Sequence, residues 1–69
     1  MTVSELVNSM TKEYREFLWD IFIDDWEIEA RETDPGYLDR EVEQWYTEAP
    51  YVEERWLAVK MVIYTKGYK

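Results

Sequence analysis

EFLWDIFIDDWEIEAR, residues 16 to 31, is the stretch whose reading decides the fold. Tyr14, Phe17, Leu18, Ile21 and Phe22 fit the spacing of a helix face. A hairpin accounts for more of it. The stretch is rich in aromatic and β-branched residues, which suit a pleated surface. Asp24-Asp25 can serve as a two-residue turn, weaker than Asn-Gly. Parity closes as well. Phe17, Trp19, Ile21 and Ile23 share one face, and so do Trp26, Ile28 and Ala30. A two-residue loop sets Ile23 opposite Trp26 and Ile21 opposite Ile28, so the two apolar faces coincide. The same register sets Asp20 opposite Glu29 and Phe22 opposite Glu27 on the outer face.

Upstream, Thr2 and Glu5 have capping-box spacing. Val3, Leu6, Val7 and Met10 recur at i, i+3, i+4, i+7, which predicts a helix ending between Met10 and Glu13. Downstream, Asp34-Pro35-Gly36 is a turn signal, followed by a short helical turn near Tyr37 to Arg40. Glu41 to Thr47 reads as a third strand with Val42 and Tyr46 inward. Ala49 to Arg55, with Pro50, reads as a connecting loop. Leu57, Val59, Met61 and Ile63 alternate with Trp56, Ala58, Lys60 and Val62, the fourth strand. The expected architecture is a single α+β domain over residues 1–69, one N-terminal helix packed on a four-stranded, mostly antiparallel sheet.

Composition narrows the function. The chain has 69 residues, 16 acids, 8 bases, no His and no Cys, for a net charge of −8. No thiolate metal site, disulfide framework or imidazole base can be built from it. The charge argues against direct binding to nucleic acid or to anionic membranes. The longest apolar runs are four residues, too short for a membrane span or a signal peptide, so a cytoplasmic setting is expected. Disorder is not expected, because 46% of the chain is apolar and 12 residues are aromatic. A core this small balances near zero stability, which makes a second copy of the chain one expected partner.

The charge is unevenly placed. Residues 20–54 hold 13 acids against Arg31 and Arg40, whereas residues 55–69 hold four bases and no acid. The hairpin register gathers Asp20, Asp24, Asp25, Glu27 and Glu29 near one sheet face. Glu41 and Glu43 add to the field unless Arg31 or Lys60 sits between them. Such a surface steers a basic partner and imitates a phosphate backbone; the plainer reading is a solvated face that keeps an aromatic-rich protein soluble. Trp19, Trp26, Ile21 and Ile28 are expected in the core. Trp45, Trp56 and Tyr64 have outward parity, and exposed Trp and Tyr are typical interface anchors. Carboxylate chemistry at Asp24-Asp25 with Glu27, or at Glu53-Glu54, lacks the spacing of a calcium loop. No catalytic, metal or cofactor site is expected.

The segments Met1-Thr2-Val3-Ser4-Glu5-Leu6-Val7, Leu38-Asp39-Arg40-Glu41-Val42 and Met61-Val62-Ile63-Tyr64 resemble a loose group of short acidic proteins encoded by phages and prophages of Gram-positive bacteria. The Ala49 to Arg55 stretch and the four tryptophans depart from that pattern. The resemblance implies an inhibitor of a host defence or nucleic-acid-handling protein, in some members an anti-CRISPR protein, acting within the host cell. On this reading Asp20, Asp24, Asp25, Glu27, Glu29, Glu41 and Glu43 supply the field and Trp45 and Trp56 the apolar anchors. The alternative is a self-associating accessory domain whose charge serves solubility.

Overall fold

The N-terminal capping box forms as the spacing predicts. In a computed structural model of the chain, describing residues 1–48, 50–53 and 55–68, Glu5 N–H donates to Thr2 Oγ1 at 3.2 Å. Thr2 N–H donates in turn to Glu5 Oε1 at 2.8 Å. These two bonds satisfy amides that the first turn would otherwise leave unpaired, and they start α1, Val3–Glu13. They also hold the Glu5 carboxyl below the usual carboxylate range, the Thr2 backbone bond contributing most. Val3 and Leu6 are buried, with Val7 and Met10 packed beside them.

The hairpin is real but short. β1, Leu18–Ile23, pairs antiparallel with β2, Trp26–Glu27, through Phe22 with Glu27 and Ile23 with Trp26, the register expected from the sequence. Asp24 and Asp25 both take left-handed backbone, φ 50° and 70°, as a two-residue hairpin loop requires. Beyond Glu27 the expected strand gives way to α2, Ile28–Glu32. Asp20 and Glu29 therefore never face each other, and this turning away avoids a like-charge cross-strand pair. It also brings the Arg31 guanidinium back onto the hairpin, where Nε donates to the Ile23 carbonyl at 2.8 Å and a terminal nitrogen to the Asp24 carbonyl at 2.6 Å. Ile28 still packs on the core, but Trp26, expected inside, is 62% exposed under the Arg31 guanidinium.

The 3-10 turn Tyr37–Asp39 follows Gly36, whose φ of 91° is the left-handed conformation that glycine adopts without cost. β3, Val42–Thr47, then β4, Tyr51–Glu53, run antiparallel along one edge of β5, Trp56–Thr65. β4 lies in the stretch expected to be a loop; Ala49 and Glu54 of that stretch fall outside the described residues. The other edge of β5 pairs with β1 in parallel, Leu18 with Ala58 through Ile23 with Ile63. Among the described residues the α+β fold has one main helix and a mixed sheet of five strands, in the order β2-β1-β5-β3 with β4 also on β5; the expected count of four is one short, and the β1–β5 pairing is parallel where the other three are antiparallel. β5, with Ala58, Val59, Met61, Val62 and Ile63 buried, takes the centre, where a strand covered on both faces belongs.

The core lies between α1 and one sheet face: Val3 and Leu6 against Ile21, Ile23, Met61 and Ile63. Each such side chain contributes roughly 1.5–3 kcal/mol on burial. α2 and the 3-10 turn add Ile28, Tyr37 and Leu38 to the same side. No helix among the described residues is long and apolar enough to cross a membrane.

Candidate functional site

Strand alternation sends the remaining side chains to the face away from the helices. By register that face carries Asp20 and Phe22 from β1, Glu27 from β2, Tyr46 from β3, and Tyr51 from β4. Along the centre run Trp56, Ala58, Lys60, Val62 and Tyr64 from β5. Ala58 and Val62 are only 1% and 5% exposed although the helical elements pack on the other side, so the long side chains around them form the cover. Tyr46, Tyr51 and Trp56 remain exposed.

Polar contacts order this face. The Tyr51 hydroxyl donates to Asp20 at 3.2 Å. Lys60, paired in register with Asp20, holds its Nζ 3.6 Å from the Glu48 carboxylate and 4.9 Å from the Phe22 ring centroid. The Asp25 carboxylate accepts the Tyr64 hydroxyl at 3.1 Å on one oxygen and the Tyr68 hydroxyl at 3.0 Å on the other. The two tyrosine rings stack, 6.2 Å between centroids and 21° between planes. Their hydroxyls are held above the usual phenol range, first by the bond to Asp25, then by partial burial and by the Asp25 charge.

Among the described residues, clefts open on this side. One, of 250 Å³, lies among Phe22, Asp25, Tyr46, Lys60, Val62 and Tyr64. Another, of 380 Å³, lies among Asp25, Glu43, Gln44, Tyr64 and Tyr68. A third, of 390 Å³, sits on the helix side past the end of α1, with Met10, Phe17, Trp19, Pro50 and Val59 in its walls.

A separate polar cluster is internal. Asp24 is fully buried, and its carboxylate accepts the Thr65 N–H at 2.8 Å, the Thr65 hydroxyl at 2.6 Å and the Tyr37 hydroxyl. Burial disfavours its charged form, but the Thr65 hydroxyl, Tyr37 hydroxyl, Thr65 amide and Arg40 charge outweigh that and hold its carboxyl below the usual range. Two guanidinium groups lie over the Tyr37 ring, Arg31 at 4.5 Å and Arg40 at 4.7 Å from its centroid. This cluster ties the hairpin turn to the end of β5; all its buried polar side-chain atoms have partners.

Of the residues expected to meet a partner, Asp20, Asp25, Glu27, Glu43 and Trp56 lie on or beside the open face. Asp24 does not: it is spent on Thr65 and Tyr37 and presents no charge to solvent. Glu29 is exposed on α2, apart from Asp20. Glu41 pairs with the Met1 amino group at 3.2 Å, where Thr2 bridges Glu41. Trp45 is on the helix side, in register with Ile63, and Tyr46 is on the open face with Val62. A bulge between Val42 and Gln44 causes this exchange, since one extra residue reverses parity beyond it. The expectation missed Tyr51 and Tyr68; the open-face parity of Tyr64 was legible, its tie to Asp25 was not. Among the described residues, no group of three or more acidic side chains gathers as a metal site.

Comparison of the chain with family models, with curated proteins and with solved structures finds no match.

Proposed function

We propose that this chain is a non-enzymatic protein-binding module that engages a basic protein surface through the open face of its sheet. The observation that carries this reading is the side-chain content of that face. Tyr46, Tyr51 and Trp56 stand exposed beside Asp20, Asp25 and Glu27, with the helical layer packed on the opposite side. Rigid aromatic side chains contribute contact area at low entropic cost, and a rim of carboxylates selects and steers a cationic partner. The inhibitor role implied by the phage-protein resemblance is the form of this module we favour: the face would occupy the basic channel of a nucleic-acid-handling protein. Mimicry of a phosphate backbone would then rest on Asp20, Asp25, Glu27 and Glu43.

The test is capture of a basic protein from bacterial lysate by immobilised chain at low and high salt. Charge attraction requires release at high salt, because screening shortens the reach of exposed charges to about 3 Å at 1 M. The pair Asp20→Lys with Glu27→Lys should abolish capture while Glu29→Lys, on α2, leaves it intact. Capture that ignores both salt and the reversals would overturn the proposal.

A second reading is self-association. Val52 and Leu57, register partners on the helix-side face of the β4–β5 hairpin, are 72% and 47% exposed, and a second copy could cover them. Sedimentation showing a dimer that Leu57→Lys dissociates would favour it.

A further inference from the structure

We infer that the cleft bounded by Asp25, Glu43, Gln44, Tyr64 and Tyr68 receives the guanidinium group of an arginine on the basic partner, an inference that rests on the protein-binding reading above.

The cleft joins three parts of the chain: the β1–β2 turn, the β3 bulge, and the end of β5 with the residues after it. Each supplies something a planar cation uses. The turn supplies Asp25, fixed by left-handed backbone and by one tyrosine hydroxyl on each oxygen. A carboxylate has about four acceptor positions, so two tyrosine bonds orient the group and leave it able to accept two more. The hydroxyls carry no charge, so the carboxylate stays uncompensated. The bulge supplies Glu43, a second exposed carboxylate, and Gln44, whose amide oxygen is a further acceptor. Tyr64 and Tyr68 supply two nearly parallel rings, the surface on which a guanidinium stacks better than an ammonium.

The rest of the molecule shows what the chain does with the same chemistry elsewhere. The Tyr37 and Trp26 rings are answered internally by Arg31, and Tyr37 also by Arg40, while the Asp24 carboxylate is closed by the Thr65 and Tyr37 donors. Phe22 and Glu48 are answered by Lys60. Asp25 and Glu43 have no basic side chain at ion-pair distance among the described residues. Elsewhere the chain covers its aromatic rings with its own cations; here two exposed carboxylates stand beside stacked rings with no described basic side chain paired to them, and charge complementarity names the occupant. Arginine suits it better than lysine because two carboxylates and a stacked ring match a planar fork with five donors, not a point charge.

The test uses two peptides, acetyl-Gly-Arg-Gly-Arg-Gly-amide and its lysine counterpart, titrated into the full chain and followed by two-dimensional amide NMR. The arginine peptide should shift the Gln44 side-chain amide and the Tyr64, Tyr68 and Asp25 backbone signals, and bind at least fivefold tighter than the lysine peptide. Asp25→Asn keeps a residue that tolerates the turn backbone; Glu43→Gln keeps shape without charge. Each should weaken arginine-peptide binding about tenfold without changing the thermal midpoint by more than a few degrees. Equal affinity for both peptides, or undiminished affinity in the double variant, overturns the assignment. Shifts centred on Trp56 and Asp20 instead would overturn this cleft while sparing the protein-binding reading. Absence of any shift with either peptide would overturn both.

Discussion

Thr65 closes both its backbone N–H and its hydroxyl onto the carboxylate of Asp24, at 2.8 and 2.6 Å, across a separation of 41 residues. The two side chains are wholly buried. An acid in the β1–β2 turn is thereby the clasp that holds the end of β5 in place, and the left-handed backbone at Asp24 is secured by the same bonds.

Removing the clasp should be costly. Asp24→Ala leaves the Thr65 amide, the Thr65 hydroxyl and the Tyr37 hydroxyl with no acceptor in a site water does not reach. Bonds to a charged acceptor contribute about 1.5–3 kcal/mol each, so a loss of about 3 kcal/mol is expected. In a domain this size that lowers the thermal midpoint by more than about 12 °C. Calorimetry checks it. Asp24→Asn, which tolerates the backbone but offers one acceptor oxygen, should fall between the two.

The same pair predicts an acid limb. Asp24 titrates below its ordinary 3.8 in the folded chain. The unfolded chain therefore binds the proton first as pH falls, and stability is present above the unfolded value and lost as pH drops through the folded one. Urea midpoints from pH 6 to pH 2 should fall in wild type and fall less steeply in Asp24→Asn, the remaining slope including Glu5, which is also depressed. At the alkaline end the sign reverses. Burial, with the bond and charge of Asp24, raises the Tyr37 hydroxyl above its ordinary 10.0, so its contribution is complete below that pH and lost as pH rises through the folded value. Tyr37→Phe should flatten that limb.

Arg31 carries a stability prediction of its own. Its fork donates to two consecutive carbonyls, Ile23 and Asp24, while its plane lies over Tyr37. Arg31→Lys keeps the charge and loses the fork, so it should cost about 1–2 kcal/mol. Denaturant unfolding would show this, with Arg40→Lys as the milder control.

Trp56 should separate binding from stability. It is 58% exposed on the open face. Trp56→Thr keeps a strand former there, and its stability should stay within about 0.5 kcal/mol of wild type. Affinity for a basic protein partner, read by calorimetry, should drop at least tenfold.

Local signals in the sequence were reliable where they depended on neighbours along the chain. The Thr2–Glu5 box, the α1 face, the Asp24-Asp25 turn with its Ile23–Trp26 register, the 3-10 turn after Gly36 and β5 all form where spacing puts them. What alternation could not reveal was a single added residue. The bulge beside Glu43 leaves Val42 inward yet carries Tyr46 to the open face and Trp45 to the helix side, where it stays 40% exposed as expected. Nor does hydrophobic pattern state orientation between strands, so the parallel β1–β5 pairing was illegible. Arg31 falls on the polar side of any local reading; its value appears only once α2 folds it under the hairpin. For the site, parity identified Asp20, Glu27 and Trp56, whereas the tyrosine anchors of Asp25 come from β5 and Tyr68, some 40 residues away.

The parallel pairing of β1 with β5 also sets an order of events. Every residue of β1 waits for a partner forty positions later, Leu18 for Ala58 and Ile23 for Ile63, and β3 and β4 need the same strand. While the chain is being synthesised, residues 1–55 can form the helical elements, the β1–β2 hairpin and the Thr2–Glu41 bridge, but none of the sheet that β5 organises. They leave the ribosome with Trp19, Ile21 and Ile23 uncovered. Closing loops of that length before any reward is slow. The nascent chain is therefore most vulnerable to proteases and to its own aromatic segments until β5 emerges, and assembly is then nearly all-or-none.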